Sequence, residues 1–125
     1  MFKSLLPSSR RHDISFHASG RIDISARIAR RLSLAPGDVI DIASDRRGEW
    51  YLYVKYRAGQ CAGRYHATVW PVNKGHGGSF RTCSRALTSL ALSATPGRTI
   101  LRCPCGEETI RDGIIFITII WHCSL

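Results

Sequence analysis

Gly20-Arg21-Ile22-Asp23-Ile24-Ser25 leads into Ala26-Arg27-Ile28-Ala29-Arg30-Arg31-Leu32-Ser33-Leu34, and then Pro36-Gly37-Asp38-Val39-Ile40-Asp41-Ile42. Three periods follow one another here. Ile22 and Ile24 alternate with polar neighbours, the mark of a half-buried strand. Ser25 is a residue whose hydroxyl accepts from a free amide in the first turn of a helix, and the helix predicted over Ala26–Leu34 puts Ile28 and Leu32 on one face. Pro36-Gly37-Asp38 stops it, and Val39–Ile42 is again a strand.

Working outward, Ile14 and Phe16 alternate before the turn His17-Ala18-Ser19-Gly20, so residues 13–24 form a predicted hairpin. On the other side Asp45–Gly48 is a turn and Trp50–Val54 a returning strand of β-formers. The second half repeats this order. His66–Val72 is a strand, Asn73–Gly78 a glycine-rich hairpin tip, Phe80–Thr82 a strand, and Ser84–Leu92 a helix stopped by Thr95-Pro96-Gly97. Thr99–Arg102 and Gly113–Ile120 complete the copy. Laid over each other, the halves match at six positions: Gly20 with Gly78, Arg27 with Arg85, Leu32 with Leu90, Leu34 with Leu92, Pro36 with Pro96 and Gly37 with Gly97. The expected fold is mostly β with two short helices. Duplicated β-hairpin–helix–hairpin units (13–56 and 66–120) make up one domain, 13–125, preceded by a flexible arm over residues 1–12.

Composition agrees with one packed domain: 125 residues, 44% of them hydrophobic. The apolar run Ile114–Trp121 is too short to span a bilayer as a helix. The N-terminus lacks the apolar stretch and cleavage site of a secretory signal. A cytoplasmic protein without a membrane partner is expected. The five cysteines (61, 83, 103, 105 and 123) make no disulfide framework and read as reduced thiols. Cys103-Pro104-Cys105, with His122-Cys123, offers metal-ligand types, but not at the spacing of a zinc knuckle or ribbon. No metal or other cofactor is expected.

Residues 13–56 resemble the swapped-hairpin family of AbrB, SpoVT and MazE-type transcription factors and antitoxins. The family pattern is a Gly-Arg turn and strand, an apolar-basic-basic-apolar helix and a Gly-Asp step into the next strand. Gly20-Arg21, Ile28–Leu34 and Gly37-Asp38 follow it, and Ser25 stands where members usually carry proline. Members pair as dimers of one unit each; for two units in one chain the resemblance implies a pseudo-twofold, swapped-hairpin-like barrel closed by a single polypeptide. The resemblance also implies duplex DNA binding through arginines.

The formal net charge of +9 agrees, since a surplus rich in arginine suits phosphate. Helical periodicity sets Arg27, Arg30 and Arg31 to one side of the first helix, with Arg21 in the strand before it and Arg10 and Arg11 in the arm extending the patch. Asp23, Asp38 and Asp41 are acidic neighbours able to neutralise it. In the second copy Thr88 and Ser89 replace Arg30 and Arg31, and only Arg85 survives. No pattern sets a nucleophile beside a base, so no enzyme is expected. Trp50, Tyr51, Tyr53 and Tyr56 read as cross-strand packing rather than a base-stacking platform. The expected function is a non-enzymatic DNA-binding regulator, monomeric or homodimeric. The alternative is a protein-interaction module on the same barrel, an antitoxin-like or mobile-element accessory protein with a protein partner and no DNA binding.

Overall fold

A computed structural model of the chain describes residues 12–60, 67–93 and 95–120. Ten strands and two α-helices occur among them. The predicted first hairpin is present: β1 (Ile14–His17) pairs with β2 (Arg21–Ile24), with Ile14 opposite Ile24 and Phe16 opposite Ile22. All four of these apolar side chains are fully buried, because the alternation sends them to one face.

Ser25 caps α1 (Ala26–Arg31), its hydroxyl accepting from the Ile28 N–H at 3.3 Å. The helix ends three residues before the predicted Leu34. Ser33 takes the left-handed conformation at φ 53°, its N–H donates to the Arg30 carbonyl, and the Leu34 N–H donates to that of Ala29. These two bonds satisfy the last carbonyls of the helix in the manner usually built on glycine. Pro36-Gly37 then forms a separate turn closed by Asp38 N–H to Ala35 O. Thr95-Pro96-Gly97-Arg98 is built the same way, with Gly97 at φ 86° against 91° at Gly37.

The chain continues as β3 (Val39–Ser44), β4 (Trp50–Tyr56), β5 (Ala67–Thr68), β6 (Trp70–Pro71), β7 (Phe80–Cys83), α2 (Arg85–Ser93), β8 (Ile100–Cys103), β9 (Cys105–Arg111) and β10 (Ile114–Ile119). They form two antiparallel five-stranded sheets, in the orders β6-β7-β2-β1-β8 and β5-β3-β4-β10-β9. Neither sheet closes on itself. Two strand pairs pass from one sheet to the other: β5 runs through Val69 into β6, and β8 through Pro104 into β9. Proline suits such a crossing because it has no N–H to leave unpaired. Ile14, Phe16, Ile22 and Ile24 meet Ile40, Leu52, Ile117 and Ile119 in one core, which Ile28 and Leu32 of α1 join. Each such side chain contributes about 1.5–3 kcal/mol by leaving water.

Two further expectations need correction. No strand was predicted over Cys105–Arg111, because this edge strand is exposed from Glu107 onward and carries no apolar alternation. The repeat frame is also off by one residue in the second helix. Leu90 is 42% exposed where Leu32 is 1%, whereas the buried faces align Ile28, Ala29 and Leu32 with Leu87, Thr88 and Ala91. Ser84, whose hydroxyl accepts from the Leu87 N–H, therefore corresponds to Ser25, and Cys83 is an added residue before it.

Candidate nucleic-acid interface

The arginines of α1 do not act together. Arg27 turns to Asp13, which is 1% exposed: its Nη2 donates to Oδ2 at 2.7 Å and its Nε to Oδ1 at 3.3 Å. The Cys105 N–H at 2.8 Å and the Ser25 hydroxyl at 3.3 Å complete the carboxylate's partners. Burial alone would push the Asp13 carboxyl up, but the Arg27 guanidinium, the Cys105 amide and the Ser25 hydroxyl outweigh it and hold it below its ordinary value of 3.8. Arg31 donates to Glu108 Oε1 at 2.7 Å and to the Gly106 carbonyl at 2.8 Å, tying α1 to β9. Arg30 alone is exposed with no ion-pair partner among the described residues. None of the three acids expected to neutralise this helix does so. Asp38 is buried under Arg57 at 2.8 Å, Asp41 faces Lys55, and Asp23 belongs to a different cluster.

That cluster lies on the outer face of the first sheet. Alternation sends Ser15, His17, Arg21, Asp23, Arg81 and Arg102 outward, and the register lines them up. Trp70 stands opposite Arg81, Arg81 opposite Asp23, Asp23 opposite Ser15, and Ser15 opposite Arg102. Asp23 accepts from Arg81 Nε at 2.6 Å, and Arg21 Nε lies 3.1 Å from its other oxygen as an ion pair. His17 Nε2 lies 3.2 Å from both Asp23 Oδ2 and Arg21 Nη2. It donates to the carboxylate when it carries the proton and accepts from the guanidinium when it does not. One acid thus orients two arginines through their Nε atoms and leaves the Nη groups of Arg81 for another acceptor.

Arg85, the first residue of α2, stands by the turn of the first hairpin, where a Cβ on Gly20 would come within 3.1 Å of its Cγ. At the other hairpin tip a Cβ on Gly78 would come within 3.3 Å of Ala26 Cβ, the first residue of α1. Seven of the nine acidic residues sit in ion pairs, and among the described residues Glu107 and Asp112 have none. The charge surplus therefore falls on exposed cations such as Arg30, Arg46, Lys74, Arg85, Arg98 and Arg111.

Arg10, Arg11 and all but His12 of the expected arm lie outside the described residues, as do His122 and Cys123. Cys103 and Cys105 are buried, and burial, then the charges of Asp13 and Cys103, push the Cys105 thiol up to about 12. Among the described residues no three His, Cys, Asp or Glu side chains are grouped to hold a metal, and no helix is long and apolar enough to cross a membrane. The tyrosines of β4 are used within the fold. Tyr53 packs on Phe116 at 4.8 Å, and the Tyr51 hydroxyl lies 2.8 Å from Asp45 and 2.9 Å from Glu49. Sharing one proton with those two carboxylates, Asp45 foremost, pushes Tyr51 up to about 12. Comparison with protein-family models, with curated proteins and with solved structures finds no match to this chain.

Of the side chains on or beside this face, sequence reasoning named Arg21 and Arg85 and did not name Arg81, Arg102, His17 or Trp70. The signal for Arg81 lay in the alternation of Phe80-Arg81-Thr82, which repeats that of Ile22-Asp23-Ile24.

Proposed function

We propose that this protein is a non-enzymatic DNA-binding regulator on a duplicated swapped-hairpin framework, and that it contacts duplex DNA with the outer face of its first sheet. The observation that carries the reading is the row of arginines across this face, two of which, Arg21 and Arg81, Asp23 holds. Arg81 and Arg102 are three strand spacings apart, about 14 Å, close to the roughly 12 Å width of a major groove. Arg21 lies between them, and Arg85 flanks the hairpin tip from which it leads. Arg27 and Arg31 hold the fold, so the phosphate contacts move from the helix to the sheet. The duplicated framework is supported by the reciprocal seating of each helix start on the other half's hairpin glycine, Arg85 on Gly20 and Ala26 on Gly78. The two matching Pro-Gly turns support it further.

The test is a fluorescence-anisotropy titration of duplex DNA over a range of salt concentrations. Each phosphate contact adds about 0.9 to the slope of log affinity on log salt, so Arg21→Ala with Arg81→Ala should flatten it by about two units. An unchanged slope in the folded variant refutes the assignment. A second reading, a protein-interaction module, draws on one feature: the edge strand β9 carries Ile110 at 66% exposure, with Ile114 of β10 at 38%. Absence of DNA binding at low salt would favour it.

A further inference from the structure

Trp70 is the residue on the first sheet's outer face that phosphate binding leaves unexplained. Its side chain is 56% exposed on the edge strand β6, next to Arg81 across the ladder. The far edge of its indole lies beside the α1–β3 turn, where a Cβ on Gly37 would come within 3.9 Å of Cη2. Beside it runs an open groove of about 670 Å³, whose lining includes Arg21, Trp70, Pro71, Asn73, Arg81 and Cys83. Its charged lining residues are Arg21 and Arg81, both cationic. Thr82 also lines it, and the Thr82 hydroxyl, in a residue only 4% exposed, has no hydrogen-bond partner among the described residues. A groove of this size exceeds the roughly 300 Å³ at which small-molecule pockets begin.

We infer that this groove takes an unpaired nucleotide, its base stacked on Trp70 and its phosphates held by Arg21 and Arg81. The inference rests on the first sheet being the DNA-binding face and narrows the ligand to DNA with a single-stranded segment adjoining duplex. An indole offers a π-face that any base can cover, while a base within a duplex has both faces covered by its neighbours and cannot meet it. The two arginines match the phosphates that accompany such a base, and a groove whose charged residues are both cationic disfavours a basic peptide. The position at the sheet edge lets a strand leave the face without unpairing the rest of the duplex.

The experiment is an anisotropy titration of the full chain with a blunt duplex, the same duplex bearing a short thymidine overhang, and one bearing an abasic overhang of equal length. The thymidine overhang should bind about tenfold tighter than the blunt end, and the abasic overhang no tighter than its added phosphates allow. Trp70→Ala should abolish the thymidine preference, and Trp70→Phe should retain part of it. Equal affinity for blunt and overhang duplexes overturns the inference. So does a preference that survives Trp70→Ala or persists with abasic DNA. In those cases a salt slope still lowered by Arg21→Ala and Arg81→Ala leaves the DNA-binding face standing. Absence of binding to all three duplexes overturns both.

Discussion

Replacing Arg27 by alanine separates a phosphate contact from a structural ion pair. Asp13 joins three elements: its carboxylate meets Arg27, Ser25 and the Cys105 amide, its N–H donates to Cys103 O, and its carbonyl accepts from Ser25 N–H. Breaking a fully buried ion pair from one side costs about 3–5 kcal/mol. Arg27 is 35% exposed and two donors remain on Asp13, so water screening reduces the expected loss to about 2–3 kcal/mol. For a chain of this length that is roughly 8 °C in melting temperature. Acid supplies the diagnostic. A carboxyl held below its ordinary value contributes stability that is present above about pH 4 and lost as the pH falls through its folded-state value. Without the guanidinium, its hydrogen bond and charge no longer lower the Asp13 carboxyl, while burial still pushes it up. The gap in melting temperature between wild type and Arg27→Ala should therefore be wide at pH 7 and narrow as the pH falls through 4 and below. Calorimetric melts across that range read it directly. Equal melting temperatures at pH 7, together with a flattened salt dependence of DNA binding, would refute the reasoning and return Arg27 to the phosphate contacts.

Two further outcomes concern the backbone and the thiols. Ser33 is exposed and holds φ at 53°, a conformation that costs an L-residue about 1 kcal/mol relative to glycine, so Ser33→Gly should raise the melting temperature by about 3 °C. A lower melting temperature would show that its hydroxyl matters more than its strain. Alkylation of the native protein at neutral pH, mapped by peptide mass, should label the exposed Cys83 and spare Cys103 and Cys105 until denaturant is added. Labelling of Cys105 in the folded protein would contradict the buried, protonated thiol.

What the sequence made legible was local. Period-two alternation placed β1 and β2, and a serine before an apolar-periodic stretch placed the start of α1. The end of α1 was hidden because Ser33, not glycine, takes the left-handed position. The second helix slipped in the repeat frame because Cys83 adds a residue between β7 and Ser84. The site was less legible than the fold, for a physical reason. Asp13 and Glu108 reach Arg27 and Arg31 across 14 and 77 residues, and Arg81 reaches Asp23 across 58. No helical or strand period links partners at such separations. Helix geometry grouped Arg27, Arg30 and Arg31 correctly as neighbours, but tertiary partners then claimed two of them.

The Asp23–Arg81 pair also bears on why two copies would be kept in one chain. Gly20 and Gly78 are as far apart in sequence as Asp23 and Arg81, so in the repeat frame Asp23 and Arg81 are equivalent residues. They are also the residues that the β2–β7 register sets opposite each other. In a dimer of identical units an equivalent pair at this place is a residue facing its own copy, and two aspartates or two arginines there would repel. On the proposed duplicated framework, fusion of two copies would lift that constraint. One half supplies the acid and the other the base, and the pair closes at 2.6 Å. On the same proposed framework, the divergence that removed basic residues from the second helix would also have set complementary charges opposite each other at the centre of the first sheet.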